Sequence, residues 1–322
     1  MMNPSSPEPS TLPNSEGPLS LPPSPPAAPN NVFRGPNGIR AGWRALIFIL
    51  LAFAIGLFLV ASLTLVKNAG KLANIAVSGF TPLGLTITEA ALLIPALIAA
   101  WIMARIERRK FGAYGLPVRH AFGKDFWIGT FAGFAAISVC LLEIFAFHGF
   151  RLTGISIHGT KILWATLAWA AAFVFVGLSE EFCFRGYLQF TLATGMGFWP
   201  AAGAMSLLFG LAHASNPGES KAGLFSVVVF GLLFCLFLRR RGNLWWAVGF
   251  HAGWDWGQTF FYGVADSGIP PYNNLFNSSF QGPEWLTGGT VGPEASLFAP
   301  ITLAITAVVF TSVYKRAVSS ER

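Results

Sequence analysis

Apolar residues in this chain run in blocks instead of alternating with polar ones. Eight such blocks, at about 44–66, 83–104, 126–148, 162–179, 198–213, 222–238, 243–263 and 296–314, each predict a helix of membrane-spanning or near-spanning length. Charged residues collect between the blocks. The run Ile162–Ser179 carries no charge at all, and then Glu180, Glu181 and Arg185 arrive together. Gly186–Ala212 is again free of charge.

Composition sets the solvent these helices meet. Of 322 residues, 53% are hydrophobic and 11% charged, against roughly a quarter charged in a soluble domain. The pattern is that of an all-α polytopic membrane protein and excludes a soluble helical bundle. The net charge of +7 does not indicate nucleic acid, because the basic residues stand at block ends, where they set topology. With the N-terminus in the cytoplasm, Arg34, Arg40, Arg44, the basic residues of 105–124, Arg185, Arg239–Arg241, Lys315, Arg316 and Arg322 fall inside. Only Lys67, Lys71, Arg151, Lys161 and Lys221 fall outside, a division of 16 to 5. Eight passes with both termini cytoplasmic follow, in a cell membrane if the protein is bacterial, and the Gly-, Asn- and Pro-rich loop 264–295 then faces away from the cytoplasm.

Residues 1–32 are dense in Pro and Ser and predict a disordered tail; 33–322 form one membrane-embedded domain without internal repeats. No basic residue precedes Arg34, and the first apolar run, Ala45–Val66, is long enough to span, so no cleaved signal is expected. Cys140, Cys183 and Cys235 are widely spaced within apolar stretches and read as small buried hydrophobes.

An ionisable side chain in hydrocarbon costs about 2.5–3.5 kcal/mol on insertion scales and therefore asks for a reason. Glu89 and Glu143 are single carboxyls in the second and third blocks, readable as helix-pairing hydrogen-bond groups or as proton relays. Glu181 and Arg185 are four apart and share a helix face, the acid on the N-terminal side. Glu180, about 100° around the helix, is then left without a local partner. Phe209–His213 reads FGLAH, and Phe250–Gly257 reads FHAGWDWG, placing His251 and Asp255 one turn apart on one face. Gly249, Gly253 and Gly257 make a small-residue ridge against which another helix can pack closely. Together these stretches hold what hydrolysis of a peptide bond needs: a carboxylate base to deprotonate water and imidazoles to stabilise the oxyanion. Ser179 and Cys183 lie nearby, but neither comes with a recognisable base.

Glu180-Glu181-x-x-x-Arg185, Phe209-x-x-x-His213 and His251-x-x-x-Asp255, in that order, resemble the CPBP family of intramembrane proteases. That family includes the type II CAAX prenyl proteases and bacterial relatives linked to bacteriocin processing and self-immunity. The resemblance covers about residues 125–265. It implies an eight-helix fold around a water-filled cavity, with Glu180 as the water-activating base. It also implies His213 and His251 around the water and the oxyanion, and Glu181, Arg185 and Phe209 in support. The partners it implies are a peptide or protein substrate at the lipid bilayer, prenylated or of bacteriocin type, and no cofactor. In the prenyl-processing branch the last motif position is typically Asn; Asp255, when ionised, can only accept hydrogen bonds, and so orients His251, holds the water or carries a proton itself.

Three other readings use the same residues. Glu180, His213, His251 and Asp255 could ligate zinc, although no HExxH accompanies them. A proton-coupled transporter would employ Glu89, Glu143 and the His/Asp group as relays. A non-catalytic immunity or scaffold protein would keep the fold alone. The drawn spans also conflict with the motif grouping, since Glu180 ends a helix near one membrane face and His213 near the other. They meet only if the fourth helix continues through EEFCFRGYLQF and the fifth begins later, or lies short and tilted, after GMGFWP.

Overall fold

The computed structural model describes residues 31–35, 38–64, 70 and 80–314. The chain divides into two units, Met1–Arg40 and Ala41–Arg322. In the first, Arg34–Gly35 (β1) pairs antiparallel with Gly38–Ile39 (β2), and Arg40 Nε donates to the Asn31 carbonyl at 2.9 Å. The Pro/Ser-rich tail expected over 1–32 lies, except for its last two residues, outside the described residues.

The second unit is helical, and every one of the eight apolar blocks contains a helix. In chain order these are α1 (Ala41–Thr64), α2 (Pro82–Ile106), α3 (Lys124–Ala146), α4 (Thr160–Arg185), α5 (Tyr187–Met196), α6 (Phe198–His213), α7 (Lys221–Arg241), α8 (Trp245–Asp255), the short α9 (Glu284–Thr287) and α10 (Phe298–Val313). Five spans are long and apolar enough to cross a membrane: α1, α2, α3, α7, and α4 with α5 as one 37-residue stretch. This is an integral membrane protein of all-α class.

Local chemistry sets the ends. Thr81 caps α2 by accepting from Gly84 N at 3.1 Å, with Pro82 in the first turn. Ser220 caps α7 in the same way, and Gly242, at φ +72°, closes it behind three arginines. The fourth helix corrects the predicted stop at Ser179. It continues to Arg185, breaks at Gly186 and resumes as α5, so Glu180 and Glu181 sit inside a helix and not at its end. The fifth block forms α6, Phe198–His213, the same 16 residues that the apolar pattern indicated.

The tightest contact is between α3 and α8. A Cβ on Gly129 or Gly133 would strike the carbonyl oxygens of Trp246 or Phe250, and one on Gly249 or Gly253 those of Phe126 or Thr130. Two small-xxx-small faces therefore meet backbone to backbone, as the Gly249/Gly253 ridge led one to expect. On α4, Gly177 lies against α8 in the same manner, its absent Cβ 2.8 Å from the Val248 carbonyl oxygen. Glu143, on α3, accepts from Thr302 Oγ1 of α10 at 2.8 Å, a helix-pairing bond.

The segment 264–295 is more structured than its composition suggested. Phe276–Phe280 (β4) pairs antiparallel with Phe150–Ile155 (β3), Phe150 opposite Phe280. Trp169 Nε1 of α4 donates to the Tyr272 carbonyl at 3.0 Å. The returning chain is thus held across the ends of α3, α4 and α8.

Candidate active site

Two consecutive helical glutamates point in different directions, and α4 uses that divergence. Glu181 is wholly buried and its Oε1 takes two donors: Arg185 Nη1, one turn on, at 3.3 Å, and His251 Nδ1 of α8 at 3.1 Å. A carboxylate only accepts, so Nδ1 carries the hydrogen and Nε2 is turned outward. His251 Nε2 stands 3.5 Å from Glu180 Oε2 and 3.5 Å from Asp255 Oδ2. The ring itself stacks on Phe234, centroids 5.1 Å apart. The expected Glu181–Arg185 pair is present, and it has a second task that spacing alone did not show: it orients the histidine.

Arg185 is also wholly buried, in a box made of aromatic faces. Its guanidinium lies 4.1 Å from the centroid of Phe209, with Phe234 and Phe184 at 5.4 and 5.7 Å. Gly231 of α7 leaves room for it, since a Cβ there would come 2.8 Å from Nη2. Cation–π attraction and the Glu181 carboxylate together compensate a charge that could not otherwise be buried. Phe209 belongs to the FxxxH motif, which accounts for its place beside the His and Arg motifs.

His213 reaches the same cavity without touching the others. Its Nδ1 is 2.8 Å from the Phe209 carbonyl oxygen, and a carbonyl only accepts. In the neutral ring Nδ1 therefore holds the hydrogen, and Nε2 presents a lone pair. This changes the expectation that both imidazoles offer N–H to an oxyanion: neutral His213 can hold a water by its hydrogen, and a donor must come from elsewhere.

The cavity is about 940 Å³. Glu180, His213, His251 and Asp255 all line it, as do Glu89 of α2 and Cys183 of α4. On the α1 side its wall is apolar, with Phe48, Ala52 and Leu57. Two acidic residues that sequence reasoning passed over, Asp266 and Glu294, also line it. Immediately after Asp255 the helix widens into a π-helical turn, Trp256–Phe261, a device frequent at functional sites. From it Thr259 Oγ1 donates to Asp266 Oδ2 at 2.8 Å. Glu294 Oε2 accepts from Ser267 N and Oγ at 3.0 and 3.1 Å. Burial, joined for Glu294 by the Asp266 carboxyl, pushes the two acids up to about 6 (Asp266) and about 8 (Glu294).

Ligand atoms of Asp255, Asp266 and Glu294 lie within 4.8 Å of one another, the one such set of three or more among the described residues. It is an all-oxygen set with no imidazole, and the Glu180/His213/His251/Asp255 quartet does not close in this way. Ser179 Oγ is buried without a hydrogen-bond partner among the described residues.

Residues 162–257 match the family described as Rce1-like, type II CAAX prenyl endopeptidase Rce1-like. No curated protein matches the chain. The matched stretch opens in the first turn of α4 and ends two residues beyond Asp255, so it takes in all three motifs and leaves out Glu89, Asp266 and Glu294. The match is confined to that stretch, and over it the chain is similar to the CAAX prenyl endopeptidases.

Proposed function

We propose that this protein cleaves a peptide bond in a membrane-associated substrate with a water molecule activated by Glu180, without a metal. The observation that carries the reading is the clamp on His251: buried Glu181, itself paired with Arg185, holds Nδ1, while Nε2 faces Glu180 and Asp255 inside the cavity. Glu180 is the carboxylate left free to take a proton from water, and the His213 Nε2 lone pair holds that water's other hydrogen. The oxygen attacks the carbonyl carbon, and the C=O pair moves onto oxygen. His251 is the remaining donor: as an imidazolium it offers Nε2–H to the oxyanion, and the Glu180, Glu181 and Asp255 carboxyls are its counter-charges. Preorganised groups of this kind are worth about 10²–10³ in rate each.

Asp255 accepts where an Asn would donate, so it supports the histidine instead of the oxyanion. A prenylated substrate would lay its apolar chain along the α1 wall; a bacteriocin-type peptide would not need that wall. Full-length protein in detergent, wild type and Glu180→Gln, assayed on prenylated and plain fluorogenic peptides with and without a zinc chelator, tests the proposal. The expected result is chelator-resistant cleavage that the substitution abolishes. Loss of cleavage on chelation would transfer the same residues to a metal mechanism, and equal cleavage by both proteins would remove Glu180 as the base.

A further inference from the structure

Glu89 has no place in the matched motifs, yet it faces the same chemistry. Its side chain is buried to more than nine-tenths in α2 and lines the cavity with Glu180, Cys183 and His251. It lies within electrostatic reach of Glu180 and His251, with the Ser179 hydroxyl alongside. Nevertheless Glu89 Oε2 and Ser179 Oγ are both buried without a hydrogen-bond partner among the described residues. A structural carboxyl in a membrane helix satisfies itself on a neighbour, as Glu143 does on Thr302. Glu89 Oε2 has no such partner, and the residue lines the cavity where a substrate would sit.

Two carboxyls that line one cavity repel when both are charged, and a pair close enough to interact can share one proton. On the reading that Glu180 activates water, we propose that Glu89 is the second carboxyl of the reaction, sharing one proton with Glu180 and delivering it to the nitrogen of the scissile bond. Glu180 takes a proton from water as the C–O bond forms, giving a tetrahedral intermediate with one O⁻ and one OH. The O⁻ pair re-forms C=O, the C–N pair leaves with nitrogen, and nitrogen takes the proton of Glu89. The products are a carboxylic acid and an amine; proton transfer from Glu180 to Glu89 restores the starting pair. This divides the work between an acid and a base, so neither must release and regain the proton within one step. Facing Glu89 are Ser179, Glu180 and Cys183 from α4 and His251 from α8, while α1 meets the cavity with apolar side chains only.

The test uses full-length wild type, Glu89→Gln, Glu89→Asp and Glu180→Gln in detergent. Their kcat and KM are followed across pH, together with the infrared carbonyl band of protonated carboxyl groups. Expected for Glu89→Gln is an unchanged unfolding midpoint, a kcat lower by about 10²-fold or more, a KM little altered and loss of the alkaline limb of the kcat profile. Glu89→Asp, which still carries an acid, recovers part of kcat. In difference spectra Glu89→Gln removes one protonated-carboxyl band, and Glu180→Gln shifts that same band. Glu89→Gln within twofold of wild type, while Glu180→Gln is dead, overturns this inference and leaves the Glu180 mechanism standing. A band unmoved by Glu180→Gln overturns the shared proton. If wild type cleaves nothing but the band behaves as described, the carboxyl pair is upheld, and delivery to nitrogen falls together with the endopeptidase reading.

Discussion

Gly177→Ala separates the geometry of the site from its composition, because it changes no reacting group. The added Cβ on α4 would sit 2.8 Å from the Val248 carbonyl oxygen and 3.5 Å from His251 Cβ, whereas ordinary contact begins at 3.4 Å. Relieving the clash moves α4 and α8 apart by about 0.6 Å, an overpacking strain of about 1–3 kcal/mol. Carried to the Glu181–His251 hydrogen bond, now 3.1 Å, that shift opens it to about 3.7 Å, beyond hydrogen-bonding range. Misplacement of about 1 Å costs on the order of 10²-fold in rate, so kcat on the cleaved peptide should fall about 10- to 100-fold. The matched control is Gly203→Ala on α6, whose Cβ meets nothing within 4 Å and which gains up to about 1 kcal/mol of helix propensity. Cleavage rates and thermal unfolding in detergent are measured on both. If Gly177→Ala cleaves within twofold of the Gly203→Ala protein, close approach of the two helices does not set the site.

Arg185→Met leaves Glu181 buried without its cation and should destabilise the protein by about 3–5 kcal/mol. The double variant Glu181→Gln/Arg185→Met should regain part of this in chemical or thermal unfolding, and a single variant as stable as wild type would refute the pairing. Glu294 titrates near 8 in the folded protein, above its ordinary value, so the native state binds the proton more tightly than the unfolded chain does. Its contribution is therefore complete below about pH 4.5 and is lost as pH rises toward 8, at up to about 1.4 kcal/mol per pH unit. Glu294→Gln stays neutral, so wild type should lose stability relative to the variant between pH 5 and pH 8; the opposite slope would contradict the assignment.

Fold class and the principal motifs were legible because each rests on a short-range signal. Charge-free length marked the helices, and i to i+4 spacing placed Glu181 with Arg185 and His251 with Asp255. The glycines of 249–257 announced a close helix contact, and α3 supplied it. What was not legible depends on distance in the chain. The end of the fourth block was drawn at its first charge, but Glu181 and Arg185 neutralise one another inside the helix, and the helix therefore runs on. Asp266 and Glu294 stand in a segment whose composition reads as loop, and the hydrogen bonds that bury them come from Thr259 and Ser267. Glu89 carried a single signal, the cost of a carboxyl in hydrocarbon, and that signal cannot distinguish a bond to Thr302, like that of Glu143, from an empty oxygen beside a cavity.

The α3–α8 seam also bears on compliance. Where carbonyls rest against glycine Cα atoms no side chain intervenes to change rotamer, and separating the helices would forfeit the contact outright. His251 and Asp255 are therefore mounted on a seam with little freedom to deform. The facing wall is of another kind. Only 11% of the membrane-length window of α1 is buried, and where α1 meets α2 even a Cβ added on Gly56 would stand at an ordinary 3.7 Å from the Pro95 ring. On the proposed function, α1 is therefore the wall with room to yield to a substrate, while His251 and Asp255 stand on the stiffer one.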